Sequence, residues 1–152
     1  MSTHAGALRP VPIPRSNELR DDPVAQAFLL MRVAFTVAPI LFGLDKFANV
    51  LTDDWTKYLS SDFNSLLPGS AATGMHIVGI VEIAAGILVA IAPRIGGYVV
   101  ALWLAGIILN LLLIGGYGDI ALRDFGLMLG ALTLTRLATA YSGGERSPVN
   151  QR

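Results

Sequence analysis

Long apolar runs that carry charged side chains near one end are the feature that most constrains this chain. The runs cover residues 25–49, 71–93, 95–116 and 120–140. Each is close to the roughly 20 residues that a helix needs to cross a hydrocarbon core of about 30 Å. A charge in hydrocarbon costs about 2.5–3.5 kcal/mol on insertion scales, so a sequence that keeps several has a use or a partner for them. The sequence therefore predicts an all-α membrane protein with a polar cluster.

Composition supports a membrane protein and excludes several function classes. Charged residues make up 14% of the 152-residue chain, against roughly 25% in soluble domains. The formal net charge is zero, so no basic field is available for nucleic acid. The chain has no cysteine, which excludes disulfides, thiol catalysis, cysteine-ligated clusters and covalent haem. We expect no intrinsic cofactor, and quinone is the candidate for a bound one.

Polar segments flank the apolar runs and separate the first two. Residues 1–24 form a Pro-rich N-terminal tail, which we expect to be mobile and suited to docking on a partner. Residues 141–152 form a second polar tail, which we also expect to be loose. Residues 50–70 form a long loop with acidic and aromatic side chains. This loop predicts a short amphipathic stretch at the membrane interface.

Short turns and the distribution of basic residues predict the topology. Glycines at 96–97 and 115–118 form tight turns, so residues 25–140 are expected to be a four-helix transmembrane domain with antiparallel neighbours. Most Lys and Arg residues of the flanking segments fall on one side, which the positive-inside rule makes cytoplasmic. We expect a multi-pass protein of the bacterial plasma membrane with both termini inside and the 50–70 loop outside.

This topology places polar residues from all four runs in the outer half of the membrane domain. They lie within about three helical turns of the outer ends of their helices. No complete set of nucleophile, base and orienting group is visible among them. The histidine and glutamate of the second run are six positions apart and lack a metal-ligand spacing, so no metal site is expected. The polar cluster consists of Asp45, Lys46, His76, Glu82, Asn110, Arg123 and Asp124.

Charge and depth allow more than one role for these residues. Asp45 and Arg123 have opposite charge at similar depth, which indicates either an interhelical ion pair or a site for an anion, a carbonyl or a quinone headgroup. Glu82 is the deepest charge and is either a proton-accepting or ligand-binding group or a paired structural carboxylate. Lys46 is expected to extend toward the outer interface. Asn110 is expected to form hydrogen bonds across helices.

Glycines on two of the runs predict close helix packing. Gly79 and Gly86 flank Glu82 in the second run, and Gly126 and Gly130 form a GxxxG pattern in the fourth. Small residues let helix backbones approach closely. We therefore expect these glycines to pack within the four-helix domain, with a dimer seam as the alternative.

Two short motifs carry a resemblance to a known family. The first run ends in a G-x-x-K-F segment formed by Gly43, Lys46 and Phe47, and the second run has an E-x-x-x-G pattern at Glu82 and Gly86. These motifs, and the arrangement of four spans, resemble the DoxX-like family of small four-helix integral membrane proteins.

The resemblance covers residues 29–137 and implies a link to redox or respiratory chemistry. Some relatives are subunits of thiosulfate:quinone oxidoreductase, and others associate with oxidative-stress enzymes. We therefore expect an accessory or structural subunit of a bacterial respiratory or oxidoreductase complex, which stabilises the assembly or borders a quinone site. One alternative is a quinone-reactive subunit that uses Glu82 and Arg123, and another is a small transporter. Expected partners are membrane lipids and a larger membrane protein complex or a second copy.

Overall fold

The computed structural model describes residues 11–144, and every regular element in that range is helical. The prediction of an all-α chain is therefore confirmed for the described residues. Short helices precede the first long helix and lie in the loop that follows it. In chain order the elements are α1 (Glu18–Asp21), α2 (Pro23–Ala48), a 3₁₀ turn (Thr56–Tyr58), α3 (Ser61–Leu66), α4 (Ala71–Ile91), α5 (Pro93–Ile114) and α6 (Gly118–Gly144).

Three of these helices, α2, α4 and α5, are long and apolar enough to cross a membrane by length and composition. They correspond to the first three apolar runs of the sequence. The fourth run lies in α6, which has 27 residues and differs from the other long helices in its four charged side chains. Those side chains are Asp119, Arg123, Asp124 and Arg136. The three apolar helices support a multi-pass membrane protein.

Capping residues explain where α2 begins and ends and where α4 begins. Asp22 accepts a hydrogen bond from the Val24 N–H at 2.8 Å, and Pro23 follows it as the first residue of α2. Both features suit a helix N-terminus, where backbone N–H groups have no helical partner. Asn49 ends the helix in the left-handed conformation, with φ 52°. Ser70 caps α4 through the Thr73 N–H at 3.3 Å.

The turn between the second and third runs lies earlier than the sequence predicts. The turn consists of Ala92 alone, and Pro93 begins α5 instead of ending the preceding helix. Proline suits the first helical position because its missing N–H would have had no partner there. Gly96 and Gly97, expected to form the turn, lie inside α5. Gly97 packs against Thr135 of α6, where a larger side chain would not fit.

The helices pack as two extensive pairs, α2 with α4 and α5 with α6. Smaller contacts between α4 and α5 and between α2 and α6 join the two pairs. Buried apolar residues from all four long helices form the core. Among them are Phe28, Phe35, Val89, Val100 and Leu134.

The segment before α2 is packed against the helices rather than loose, which corrects the expected mobile tail for residues 11–24. Val11 is buried in the core, and its carbonyl accepts a hydrogen bond from the Arg32 guanidinium at 2.9 Å. The same guanidinium donates to the Ala90 carbonyl of α4 at 2.6 Å. A cation on a helix of this kind needs polar partners, and the folded-back segment supplies one. Residues 1–10 and 145–152 of the two predicted tails lie outside the described residues.

A second contact ties the N-terminal segment to the end of α6. The Tyr141 hydroxyl donates to Glu18 at 2.7 Å, and the Tyr141 ring stacks on Phe28 with centroids 5.1 Å apart. The Tyr141 hydrogen bond, followed by one from the Arg15 N–H, holds the pKa of Glu18 below its ordinary value. These contacts join α1, α2 and α6 at the end of the helices opposite the 50–70 loop.

Candidate functional site

The candidate site begins where the backbones of α2 and α4 approach each other at Gly43 and Gly79. A Cβ on Gly43 would lie 2.5 Å from the Gly79 carbonyl oxygen, and a Cβ on Gly79 would lie 2.7 Å from the Gly43 oxygen. The same Cβ on Gly79 would also lie 3.2 Å from the Lys46 Cβ. The absence of side chains at both positions therefore lets the Lys46 stem lie directly against α4.

The four glycines that the sequence singles out for packing have different surroundings. Gly79 and Gly86 both lie at the α2–α4 contact, where a Cβ on Gly86 would be 2.7 Å from the Thr36 carbonyl oxygen. Gly130 of α6 faces the Phe35 ring of α2. Gly126 has open space around it, so the GxxxG pattern of α6 does not pack as a unit within this chain.

A buried ion pair joins α2 to α4 beside this glycine contact. Lys46 Nζ lies 2.6 Å from a carboxylate oxygen of Glu82, and the two side chains are only 5% and 10% exposed. The expectation that Lys46 extends toward the interface is wrong, because its ammonium group turns inward. Pairing with a buried carboxylate offsets the cost of removing both charges from water. Asp124 of α6 is also buried.

Asp45 folds the following loop back over the end of α2. Its carboxylate accepts hydrogen bonds from the backbone N–H groups of Val50 at 2.9 Å and Leu51 at 3.1 Å. The indole N–H of Trp55 donates to the other oxygen at 2.9 Å. The Trp55 ring then covers the ion pair, since the Lys46 ammonium lies 4.3 Å from the ring centroid. Such a cation–π contact is favourable, and more so where water is excluded.

The predicted ion pair between Asp45 and Arg123 is not formed. Asp45 is occupied by the loop, because a carboxylate so close to a helix C-terminus can reach the N–H groups that follow it. The Arg123 side chain is 67% exposed, and its Nε lies 3.7 Å from Asp124. Within residues 11–144, Arg123 also forms no salt bridge with Glu82.

Asn110 fixes the same loop from the α5 side. Its amide oxygen accepts from the Ser60 N–H at 2.9 Å, and its amide nitrogen donates to the Tyr58 carbonyl at 2.6 Å. The expected hydrogen bond across helices is therefore made to loop backbone instead. Tyr58 also contacts the rings of Trp55 and Tyr117, with centroids 5.8 Å and 5.2 Å away. The loop is thus a fitted aromatic cover, anchored on α2 and α5.

Local hydrogen bonds also order the start of this cover. The Thr56 hydroxyl and the Thr56 N–H donate to Asp54 at 2.6 Å and 2.8 Å. These hydrogen bonds, the hydroxyl one first, lower the pKa of the Asp54 carboxyl below its ordinary value. Asp54 thereby orders the chain just before the 3₁₀ turn that contains Tyr58.

His76 lies at the margin of the site and does not enter it. Its ring stacks on Phe47 at 4.8 Å with an interplanar angle of 10°, and the residue is exposed. Among residues 11–144, no three His, Asp or Glu side chains are grouped closely enough to hold a metal ion. His76 therefore serves the α2–α4 contact.

A cavity of about 160 Å³ lies next to Glu82 and is lined by residues of α2, α4, α5 and α6. Its walls are almost entirely apolar, apart from Glu82 and the indole of Trp103. Trp103 is the site residue that sequence reasoning missed. The available signal is its position in the middle of an apolar run, since membrane tryptophans usually lie at the interfaces.

The geometry holds the charges of Lys46 and Glu82 away from water. Asp45, Lys46, Glu82 and Asn110 lie at the end of the helices that carries the 50–70 loop. No family model, no curated protein and no solved structure matches this chain.

Proposed function

We propose that this chain is an accessory, non-catalytic subunit of a bacterial respiratory or oxidoreductase complex in the plasma membrane. In this proposal it belongs to the DoxX-like proteins and crosses the membrane four times as an antiparallel bundle with both termini inside. The observation that carries the proposal is the closed state of its polar cluster. Lys46 and Glu82 pair with each other beneath Trp55, and Asp45 is occupied by the loop.

A cluster closed in this way supports a structural role better than a catalytic one. A catalytic acid, base or nucleophile must reach a substrate, whereas these groups already bind one another. Their partners lie on two helices and one loop, so the contacts hold α2, α4 and the 50–70 segment in one arrangement. A rigid membrane scaffold of this kind suits a subunit that positions another protein.

The exposed face of α6 supports the presence of a partner within the membrane. Arg123 is mostly exposed, and Gly126 has open space where a neighbouring helix would fit. A charged side chain that faces outward from a transmembrane helix requires a polar partner or a path to the interface. A larger complex that contacts α6 would supply that partner and use the open glycine for close approach.

The proposed topology predicts which positions react with a membrane-impermeant thiol reagent in intact cells. The chain has no cysteine, so single cysteines report their own side of the membrane. Asp62→Cys in the loop should react in intact cells, while Ser16→Cys and Ser142→Cys should react only after the cells are opened. Labelling of Ser142→Cys in intact cells would contradict four spans, and labelling of Ser16→Cys would contradict the orientation.

The proposed subunit role is tested by isolating the natively expressed protein in nanodiscs and identifying what accompanies it. We expect redox-enzyme subunits in a fixed stoichiometry, measured by mass spectrometry. Arg123→Leu should reduce their recovery at least severalfold, because it removes the exposed charge on α6. Lys57→Leu, which removes an exposed-loop cation, is the matched control and should not. Recovery of the free protein alone would overturn the proposal.

A further inference from the structure

Two opposite charges on the exposed face of α6 have little to pair with in this chain. Asp119 and Arg123 lie one helical turn apart, and both are exposed. Among residues 11–144, the Asp119 carboxylate forms no salt bridge, and Arg123 has only the 3.7 Å contact of its Nε with Asp124. In the proposed topology both charges lie on a membrane helix, where a charged side chain needs a polar partner. The proposed subunit role leaves open which chain supplies it.

The exposed residues of α6 that follow Asp119 repeat with the spacing of a parallel helix pair. Their intervals alternate between three and four residues, and every one of them is exposed. An average interval of 3.5 residues keeps one face of a helix turned toward a parallel partner. At the middle position of this face, a Cβ built on Gly126 meets no atom within 4 Å. The residues of this face, which we call the α6 seam, are Asp119, Leu122, Gly126, Leu129 and Thr133.

A second copy of this chain matches the α6 seam in charge. Two copies have the same orientation in a membrane, so a two-fold axis along the membrane normal sets their α6 helices parallel. Side chains on an α-helix lean toward its N-terminus. The long Arg123 side chain therefore extends toward the depth of Asp119 on the facing helix, about 6 Å away along the axis. Two reciprocal pairs form in this way, and their four charges sum to zero.

We propose that the α6 seam is the contact between two copies of this chain, closed by reciprocal Asp119–Arg123 ion pairs. Gly126 lies at the centre of the contact, where the missing side chain lets the two helix backbones approach. A lipid phosphate would pair with Arg123 but would place a second anion beside Asp119, whereas a second copy satisfies both charges. The inference rests on the membrane crossing of α6 in the proposed function, and the pair of chains is the unit that joins the larger complex.

Cysteine cross-linking of the purified chain in liposomes tests the contact in the absence of other proteins. The chain has no cysteine, so each introduced thiol reports one position. Leu122→Cys and Leu129→Cys should form disulfide-linked dimers under mild oxidation, even at a high ratio of lipid to protein. Leu102→Cys on α5 is the matched control and should cross-link little, although Leu102 is 76% exposed and Leu122 is 72% exposed. Equal yields at the seam and control positions would overturn the proposal.

An exchange of charges between two differently tagged chains tests the ion pairs. Arg123→Asp alone brings four acids together and Asp119→Arg alone brings four arginines together, so each homodimer should weaken at least about tenfold. When the two variants are mixed, each aspartate faces an arginine, and heterodimers should form as readily as the unmodified dimer. Single-molecule photobleaching counts the chains in each particle. Recovery in the mixture shows that both variants are folded, and a mixture without heterodimers would overturn the proposal.

The dimer and the proposed subunit role fail in different experiments. A chain that stays monomeric in liposomes overturns the dimer and leaves the co-isolated redox complex standing. A chain that dimerises in liposomes but is isolated without redox-enzyme subunits overturns the subunit role and supports the dimer.

Discussion

Lys46→Ala is expected to destabilise the folded protein by about 3–5 kcal/mol, the usual cost of removing one partner of a buried ion pair. The variant leaves the Glu82 carboxyl only 8% exposed and without its 2.6 Å partner. It also removes the cation beneath the Trp55 ring, so the loop cover should loosen. The free energy of unfolding in a lipid environment measures the first effect, and Trp55 fluorescence reports the second.

Two companion variants show whether burial causes this effect. Arg123→Ala breaks an exposed contact of 3.7 Å, so its cost should stay below about 1 kcal/mol. The double variant Lys46→Met with Glu82→Leu removes both charges and keeps apolar volume, so it should recover most of the stability that Lys46→Ala loses. Equal costs for Lys46→Ala and Arg123→Ala, or no recovery in the double variant, would contradict the assigned role of the pair.

Gly79→Val is expected to destabilise the protein by about 3 kcal/mol, the upper part of the range for overpacking a tight contact. Its Cβ alone would lie 2.7 Å from the Gly43 carbonyl oxygen and 3.0 Å from the Phe47 ring. The Gly43 oxygen belongs to the backbone of α2 and cannot move aside as a side chain could, so α2 and α4 must move apart. We also expect the Lys46–Glu82 pair to separate, because the Lys46 stem lies over the same glycine.

Gly106→Val is the matched control for this substitution. Gly106 lies inside α5, and a Cβ built there meets no atom within 4 Å. Both variants change helix propensity in the same way, so the difference between their unfolding free energies reports packing alone. Similar unfolding free energies for the two variants would show that the α2–α4 contact tolerates a side chain and that the close approach does not position Lys46.

The sequence by itself determined the parts of this protein that depend on local physics. Apolar length predicts the long helices, since a helix must satisfy its backbone before it can enter hydrocarbon. Capping chemistry places the start of α2, as Asp22 and Pro23 show, but not the start of α5, which begins at Pro93. The position of charges within the runs also predicts that the polar groups gather at one end of the helices. Each of these features needs only neighbours along the chain.

Pairing between the polar groups was decided only by the tertiary structure. The sequence favoured Asp45 with Arg123 because their charges and depths match, but depth does not define how each helix is rotated about its axis. That rotation follows from the contact between Gly43 and Gly79, which turns Lys46 toward Glu82. The loop turns back after Asn49, which adopts the left-handed conformation. The loop backbone then donates a hydrogen bond to the Asp45 carboxylate.

The cavity and the packed N-terminal segment also depend on tertiary contacts that the sequence does not define. Trp103 and Glu82 are 21 positions apart on different helices, and only the packing of four helices brings them to one cavity. The sequence predicts a loose tail before α2, because the partners of that segment, Arg32 and Tyr141, lie elsewhere in the chain. Helix ends and apolar length are local properties, whereas helix rotation and long-range contacts depend on which side chains fit together in three dimensions.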